Sequence, residues 1–251
     1  QWAGCRLGYF PETGSTNIEA KKAAGEGAPE GTLVVTDCQN TGRGRRGRSW
    51  ASPKGCNLYF TLLLRPDCKP EQACMLTLVM ALAAAEAVEE LGINAGIKWP
   101  NDIVAHGKKV CGILTEMSAE PDYIHYVVIG CGINVNQMDF PEEISATATS
   151  LALEKGERIT RSALLLSIME HFEKAYDKFR ETWDLTALLP AYHSYLLNKD
   201  ARVRVLDPKG EFCGTARGIN EAGELLVEKE DGELARVYAG EVSVRGVYGY
   251  V

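Results

Sequence analysis

The chain changes texture at Asn198. Beyond it, "ARVRVLDPKGEFCGTARGINEAGELLVEKEDGELARVYAGEVSVRGVYGY" alternates short strand-like runs with Gly- and Asp-rich turns. That pattern suits a small β-barrel. Before it, helical and strand periodicities are mixed. Two textures in one chain predict an α+β domain over 1–198, followed by a small β-domain over 199–251. The 251 residues are enough for one medium domain plus a small one, with a well-buried core.

Within the first part, "STNIEAKKAAGEG" reads as a short helix, with Ser15, Thr16 and Asn17 as caps, Glu19 in the first turn and Gly25 as the stop. "TLVVTDC" is β-branched and reads as a buried strand. "NLYFTLLL" is a second strand, ended by Arg65-Pro66. A long helix is expected from 71 to about 91, entered at Pro70 and closed by Gly92. Its window "ACMLTLVMALAAAEAVEELG" is the most apolar in the chain, but Glu86, Glu89 and Glu90 interrupt it before a bilayer span of about 20 residues is reached. "AGIKWPNDIVAHGKKVCGILTEMS" reads as strand, turn, strand, broken at Pro100-Asn101-Asp102 and carrying a hairpin tip at His106-Gly107. "YIHYVVIGCGINVN" is another strand. Residues 160–182 place Leu164, Leu165, Ile168, Phe172, Tyr176 and Phe179 at helical spacing, and a further helix is expected over 185–197.

The charge balance, 27 basic against 34 acidic residues, gives a net of −7 and argues against a general nucleic-acid binder. The eight cysteines include no Cys-x-x-Cys pair, so reduced thiols in a cytoplasm and no structural metal are expected. No P-loop, Gly-x-Ser-x-Gly or nucleophile pattern around the four histidines occurs. Chemistry here rests on electrostatic positioning of anions rather than covalent catalysis.

Four segments can do that. "TGRGRRGRSW" concentrates Arg43, Arg45, Arg46 and Arg48 among glycines and ends on Trp50. Glycine lets backbone N–H groups approach an anion, and arginine forks pair with carboxylate or phosphate oxygens. A solvated loop or a nucleic-acid arm has the same composition, but placement between two buried strands favours a site. "KWPND" sets Lys98, Asn101 and Asp102 at a turn after a strand. Such a turn with a packed Trp99 is also ordinary structure. "GKKVCGILTE" puts Lys108 and Lys109 at a strand start, ahead of Gly112. Lysines there are commonly just solvated, and Gly112 lets a ligand lie against the strand. "GCGINVN" runs a strand into Gly130 and Gly132, but the Gly-x-Gly-x-x-Gly needed for a dinucleotide is missing.

Taken together these motifs resemble the biotin–protein ligases. The matching segments are "STN", "QNTGRGRRGRSW", "NLYF", "KWPND", "KKVCGIL", "GCGINVN" and "GEVSVR", in the family's order over nearly the whole chain. The resemblance implies a mixed β-sheet catalytic domain packed with helices, then a small SH3-like β-barrel. It implies activation of biotin with ATP to biotinyl-5′-AMP, then transfer to one lysine of a biotin carboxyl carrier domain such as that of acetyl-CoA carboxylase. Ser15, Thr16, Asn17, Gln39, Gly42, Arg43, Gly44, Arg45, Lys109, Gly112, Leu114 and Gly130 would bind biotin. Arg45, Arg48, Trp50, Lys98, Asn101, Asn134 and Arg245 would hold the nucleotide, with Trp50 on adenine. Lys109, Arg45 and Arg43 would be catalytic, and Mg²⁺ would come with ATP rather than sit in a protein cluster. Family members occur both as homodimers through the central sheet and as monomers, so that choice stays open. No membrane and no nucleic-acid partner are expected for the chain as given. The alternatives are a lipoate or octanoate ligase or transferase of the same fold, and a biotin-sensing repressor if a helix-turn-helix precedes Gln1 in the full protein.

Overall fold

A computed structural model of the chain describes residues 2–207, 210–240 and 243–246. Glu241 and Val242 of the "GEVSVR" segment lie outside the described residues. The first part contains β1 (Arg6–Phe10), α1 (Thr16–Gly25), β2 (Thr32–Thr36), β3 (Leu58–Leu64), α2 (Pro70–Ala73), α3 (Leu76–Glu89), β4 (Ala95–Lys98), β5 (Asp102–Ala105), β6 (Lys108–Glu120) and β7 (Tyr123–Ile133). After these come α4 (Glu142–Ser145), α5 (Leu151–Lys155), α6 (Arg161–Thr182) and α7 (Leu189–Tyr195). The last part contains β8 (Arg202–Leu206), β9 (Phe212–Ile219), β10 (Leu225–Glu228), β11 (Leu234–Val237) and β12 (Ser243–Gly246).

The first seven strands form one mixed sheet in the order β1-β2-β3-β7-β6-β5-β4. Only β1 and β2 run parallel. Strand alternation gives the sheet two different faces. On one face Phe60, Leu62, Ile129, Cys131 and Ile113 join the main core. There they meet α3, which is apolar all round and therefore buried nearly all round. The amphipathic helix α6 covers α3 with Leu164, Ile168, Phe172, Tyr176 and Phe179. The stretch Pro70–Glu89 is long and apolar enough to cross a membrane by composition, but 72% of its most apolar window is buried inside the fold. On the other face, α1 packs through Ala20 and Ala24 on Val34, Leu63 and Val128. Beside α1 this face is bare, because Gly112 pairs with Gly132 and Leu114 with Gly130. The site lies over that patch.

The C-terminal strands form a second, antiparallel sheet in the order β11-β10-β9-β8-β12. The expected barrel does not close among the described residues. The edge strands β11 and β12 are four residues each, and no ladder joins them. This sheet shares the main core: Val203, Val205, Ala216, Ile219, Leu225, Val227 and Val244 belong to the same cluster as α3 and α6.

Other expectations need adjustment. The helix entered at Pro70 breaks at Cys74-Met75 into α2 and α3. The "AGIK…" segment holds three strands, because the two turns foreseen there each separate a pair. At the second turn His106 and Gly107 both take positive φ, 46° and 77°, as a two-residue hairpin loop requires. Ser15 does precede α1, but its side chain makes no capping bond.

Candidate active site

Two adjoining cavities open over the bare patch. The larger, about 230 Å³, is lined by Arg45, Arg48, Trp50, Lys98, Asn101, Asn134 and Arg245 among others. The smaller, about 50 Å³, has Ser15, Thr16, Asn17, Gln39, Arg43, Gly112, Leu114 and Gly130 in its wall. Gly44, Arg45, Trp50, Asn101 and Lys109 line both. All the residues expected to bind biotin or the nucleotide therefore converge except Gly42, which lines neither; Lys108 of the same motifs also stays outside, its Nζ donating to the Ser145 carbonyl at 3.2 Å. A Cβ on Gly42 would stand 2.4 Å from the Trp50 carbonyl oxygen and 2.8 Å from Ser52 Oγ. Gly42 thus lets the loop pack tightly at its root.

The arginine segment is a folded turn. Trp50 N–H donates to the Gly42 carbonyl at 2.9 Å and Gly44 N–H to the Arg48 carbonyl at 2.7 Å. Its tip reverses through Arg46 and Gly47, both at positive φ. Arg43, Arg46 and Arg48 stay exposed. Arg45 turns inward: its Nη1 donates to Asn101 Oδ1 at 3.1 Å and its Nη2 to the Gly240 carbonyl at 2.8 Å and to the Ala239 carbonyl. Burial draws its pKa down, while Asp102 works in the opposite sense. Asn101 is held in turn, its Nδ2 donating to the Ile113 carbonyl at 3.0 Å. One guanidinium thus ties the loop, the "KWPND" turn and the C-terminal part together.

Lys109 rises from the start of β6, and its Nζ meets Asp102 Oδ1 at 2.6 Å. The same ammonium lies 5.2 Å from the Trp50 ring centre. Lys98 is buried, and burial pulls its pKa down to about 8; Asp102 opposes this, while Arg245, Lys109 and Arg48 reinforce it. Asp102 is the sole carboxylate among the described residues that line either cavity. Among the described residues the cleft is a positive field, with cations from four separate segments set against one carboxylate.

The comparisons with known proteins agree with this geometry. The Biotin/lipoate A/B protein ligase family matches residues 9–134, and the Biotin protein ligase C terminal domain matches 201–245. The bifunctional ligase/repressor BirA of Bacillus subtilis is 42% identical over 96% of this chain and 74% of its own length. The biotin--[acetyl-CoA-carboxylase] ligase of Mycobacterium tuberculosis is 34% identical over 94% of the chain and 88% of its own length. This chain belongs to the biotin protein ligases. The biotin protein ligase from Aquifex aeolicus, solved in complex with biotin and ATP, superposes with a TM-score of 0.84 at 34% identity, over 96% of this chain and 99% of that one.

In this ligase Trp50 takes a position that its motif does not reveal. Its indole lies on the glycine patch: a Cβ on Gly132 would come within 2.5 Å of Trp50 Nε1, and one on Gly112 within 2.9 Å of Cζ3. The indole N–H is buried without a partner. The larger cavity also has a rim that the motifs missed, formed by Gln137, Phe140, Ile144, Thr147 and Ala148. "MDFPEEISATATS" carries no chemical signature, and α4 is only four residues. Two further polar residues under the smaller cavity, Thr61 and Glu116, sit in segments that read as plain strand.

Proposed function

We propose that the chain joins biotin to protein in two steps through the cleft just described. The observation that carries this reading is the position of Lys109, whose side chain lines both cavities. A carboxylate reaching out of the smaller cavity and an α-phosphate held in the larger one meet at its ammonium. In the first step a biotin carboxylate oxygen attacks the α-phosphorus of ATP and the bond to the β-phosphate oxygen breaks, giving biotinyl-5′-AMP and pyrophosphate. In the second, a neutral lysine amine of a biotin carboxyl carrier domain attacks the acyl carbon, AMP leaves, and the amine loses a proton.

Bringing a carboxylate to a triphosphate forces like charges together. Lys109, Arg45, Arg43 and Arg48 offset that repulsion where it is greatest. Lys98 and Arg245 face the polyphosphate side, with Asn101 and Asn134 shaping the wall. Trp50 offers a flat face for adenine once it leaves the glycine patch. The described residues contain no group of three or more His, Cys, Asp or Glu placed to hold a metal. Asp102 is already paired with Lys109. Mg²⁺ would come in with the triphosphate and offset its charge there.

The biotin–ATP complex of the Aquifex relative supports the two substrates, and the acetyl-CoA-carboxylase ligases among the relatives support the acceptor. The test is acid-dependent ATP–pyrophosphate exchange with biotin, lipoate or octanoate. Exchange with biotin alone is expected, falling by about 10²–10³-fold in Lys109→Ala. Exchange driven by lipoate or octanoate would reassign the substrate, and undiminished exchange in Lys109→Ala would overturn the role of Lys109.

A further inference from the structure

Below the smaller cavity a chain of polar groups crosses the sheet, and none of the motifs announced it. Thr61 on β3, Gly130 on β7 and Leu114 on β6 stand in register. Gly130 leaves a notch between its neighbours. The Asn17 amide drops into it, so closely that a Cβ there would lie 2.0 Å from Asn17 Oδ1. Thr61 is fully buried, and Thr16 and Asn17 are each 4% exposed.

The directions of the hydrogen bonds in this chain are forced. Asn17 Nδ2 lies 2.8 Å from Glu116 Oε2 and 3.2 Å from the Leu114 carbonyl oxygen. Both are acceptors, so the amide nitrogen must face them and Oδ1 must face Thr61. Thr61 Oγ1 is 2.7 Å from that oxygen. An amide oxygen only accepts, so the single Thr61 proton is spent there. Thr61 Oγ1 is also 2.8 Å from Thr16 Oγ1. With the Thr61 proton committed, Thr16 must be the donor in that contact. The competing contact from Thr16 Oγ1 to Gln39 Oε1 is longer, at 3.3 Å, and that oxygen already accepts the Thr16 N–H at 3.0 Å. Every proton in the chain therefore points away from the cavity, toward Glu116. On its far side Glu116 is fixed by Lys21 Nζ at 2.5 Å.

We infer that Glu116, Asn17 and Thr61 are positioning residues that set the polarity of the acyl-substrate pocket, fixing Thr16 Oγ1 as a hydrogen-bond acceptor that selects a substrate bearing an N–H group. The inference rests on the biotin-ligase reading, since the cyclic urea of biotin supplies such N–H groups and a simple fatty acyl chain does not. Its physical basis is the cost of leaving a buried donor or acceptor unmatched. A site built to accept from N–H discriminates against an isostere lacking it. A buried chain with one consistent direction transmits that preference from a carboxylate that does not touch the ligand.

The test compares equilibrium binding of biotin with that of its cyclic carbamate isostere, in which a ring N–H is replaced by oxygen. The proteins are wild type, Thr61→Val, Thr61→Ser and Glu116→Ala. Wild type is expected to prefer biotin. In Thr61→Val the shape is kept but Thr16 loses its internal acceptor, so the preference should shrink at least tenfold. Thr61→Ser should restore it, and Glu116→Ala should reduce it, with the affinity for ATP unchanged in all. If both ligands weaken equally in Thr61→Val, so that the preference ratio stays at the wild-type value, Thr61 is a packing residue and the inference fails while the ligase reading stands. Wild-type protein that does not bind biotin at all would overturn both.

Discussion

Lys98 is the residue whose environment makes the sharpest quantitative demand. It is buried, and its pKa falls to about 8 from the usual lysine range because burial outweighs the attraction of Asp102. The folded pKa lies below the unfolded one, so the charged form is disfavoured in the fold. The Lys98 contribution to stability is therefore greatest above the unfolded pKa and is lost as pH falls toward 8. The sign for ligand binding is opposite. Only the protonated ammonium pairs with a phosphate, so a triphosphate bound as proposed would raise the Lys98 pKa, and the free protein would lose affinity as pH climbs past 8. The dissociation constant for ATP should rise by up to about tenfold per pH unit above that point. In Lys98→Arg the charge persists throughout, because guanidinium does not titrate in this range. Calorimetric titrations between pH 7 and 10 should show the slope in wild type and not in the variant. The same slope in both would mean that another group is responsible.

At the scale of the element, the arginine turn and the glycine patch form a matched pair. The indole of Trp50 needs Gly112 and Gly132 to be bare, and it fills much of what would otherwise be an open trough. What remains of the smaller cavity is about 50 Å³, well short of the roughly 300 Å³ at which small-molecule pockets begin. A bicyclic ligand with a four-carbon tail therefore has to displace the ring. Biotin should change the Trp50 fluorescence, and Trp50→Phe should abolish that change although Trp2, Trp99 and Trp183 remain. A signal that survives the substitution would place the movement elsewhere. Much of this element was legible beforehand: an arginine-glycine loop between two buried strands, opposite strands carrying Gly112, Gly130 and Gly132. Partnerships were not. Nothing in "GRGRRGR" says that Arg45 turns inward to backbone carbonyls at Ala239 and Gly240 while its three neighbours face solvent. Nothing in "NLYFTLLL" says that Thr61 anchors Asn17, because a threonine in a strand has the same pattern whether it serves packing or a network. The edge strand β1 and the short helices α4 and α5 escaped for a simpler reason. Each is five residues or fewer, too short for a period to declare itself.

At the scale of the whole molecule, the change of texture at Asn198 marks a change of architecture without a division of the core. The division at 198/199 is proposed as an organisational boundary only. Trp99 of the first part is fully buried, and its indole N–H donates to the Gly223 carbonyl at 3.1 Å. Its backbone N–H donates to Asn198 Oδ1 at 2.7 Å, at the junction itself. Gly223, at φ 76°, brings the turn between β9 and β10 against Leu78, Leu185 and Met75. Arg45 adds polar ties at the cleft, and Arg245 brings the second sheet into the wall of the larger cavity. With one continuous apolar core, separating the parts would expose α3 and the inner face of the C-terminal sheet together. Calorimetry should therefore show a single transition, with equal calorimetric and van't Hoff enthalpies. A fragment ending at Asn198 should be unfolded or aggregated rather than a weaker enzyme. Two resolved transitions, or a soluble, cooperatively folding 1–198 fragment, would refute this. The coupling has a consequence for catalysis as well. A site walled by both sheets is assembled only while the core between them is intact, so a core variant such as Val205→Ala should bind ATP as wild type does while it stays folded, and lose apparent affinity only by the fraction unfolded as temperature enters its lowered melting transition, which titrations below and within that transition would check.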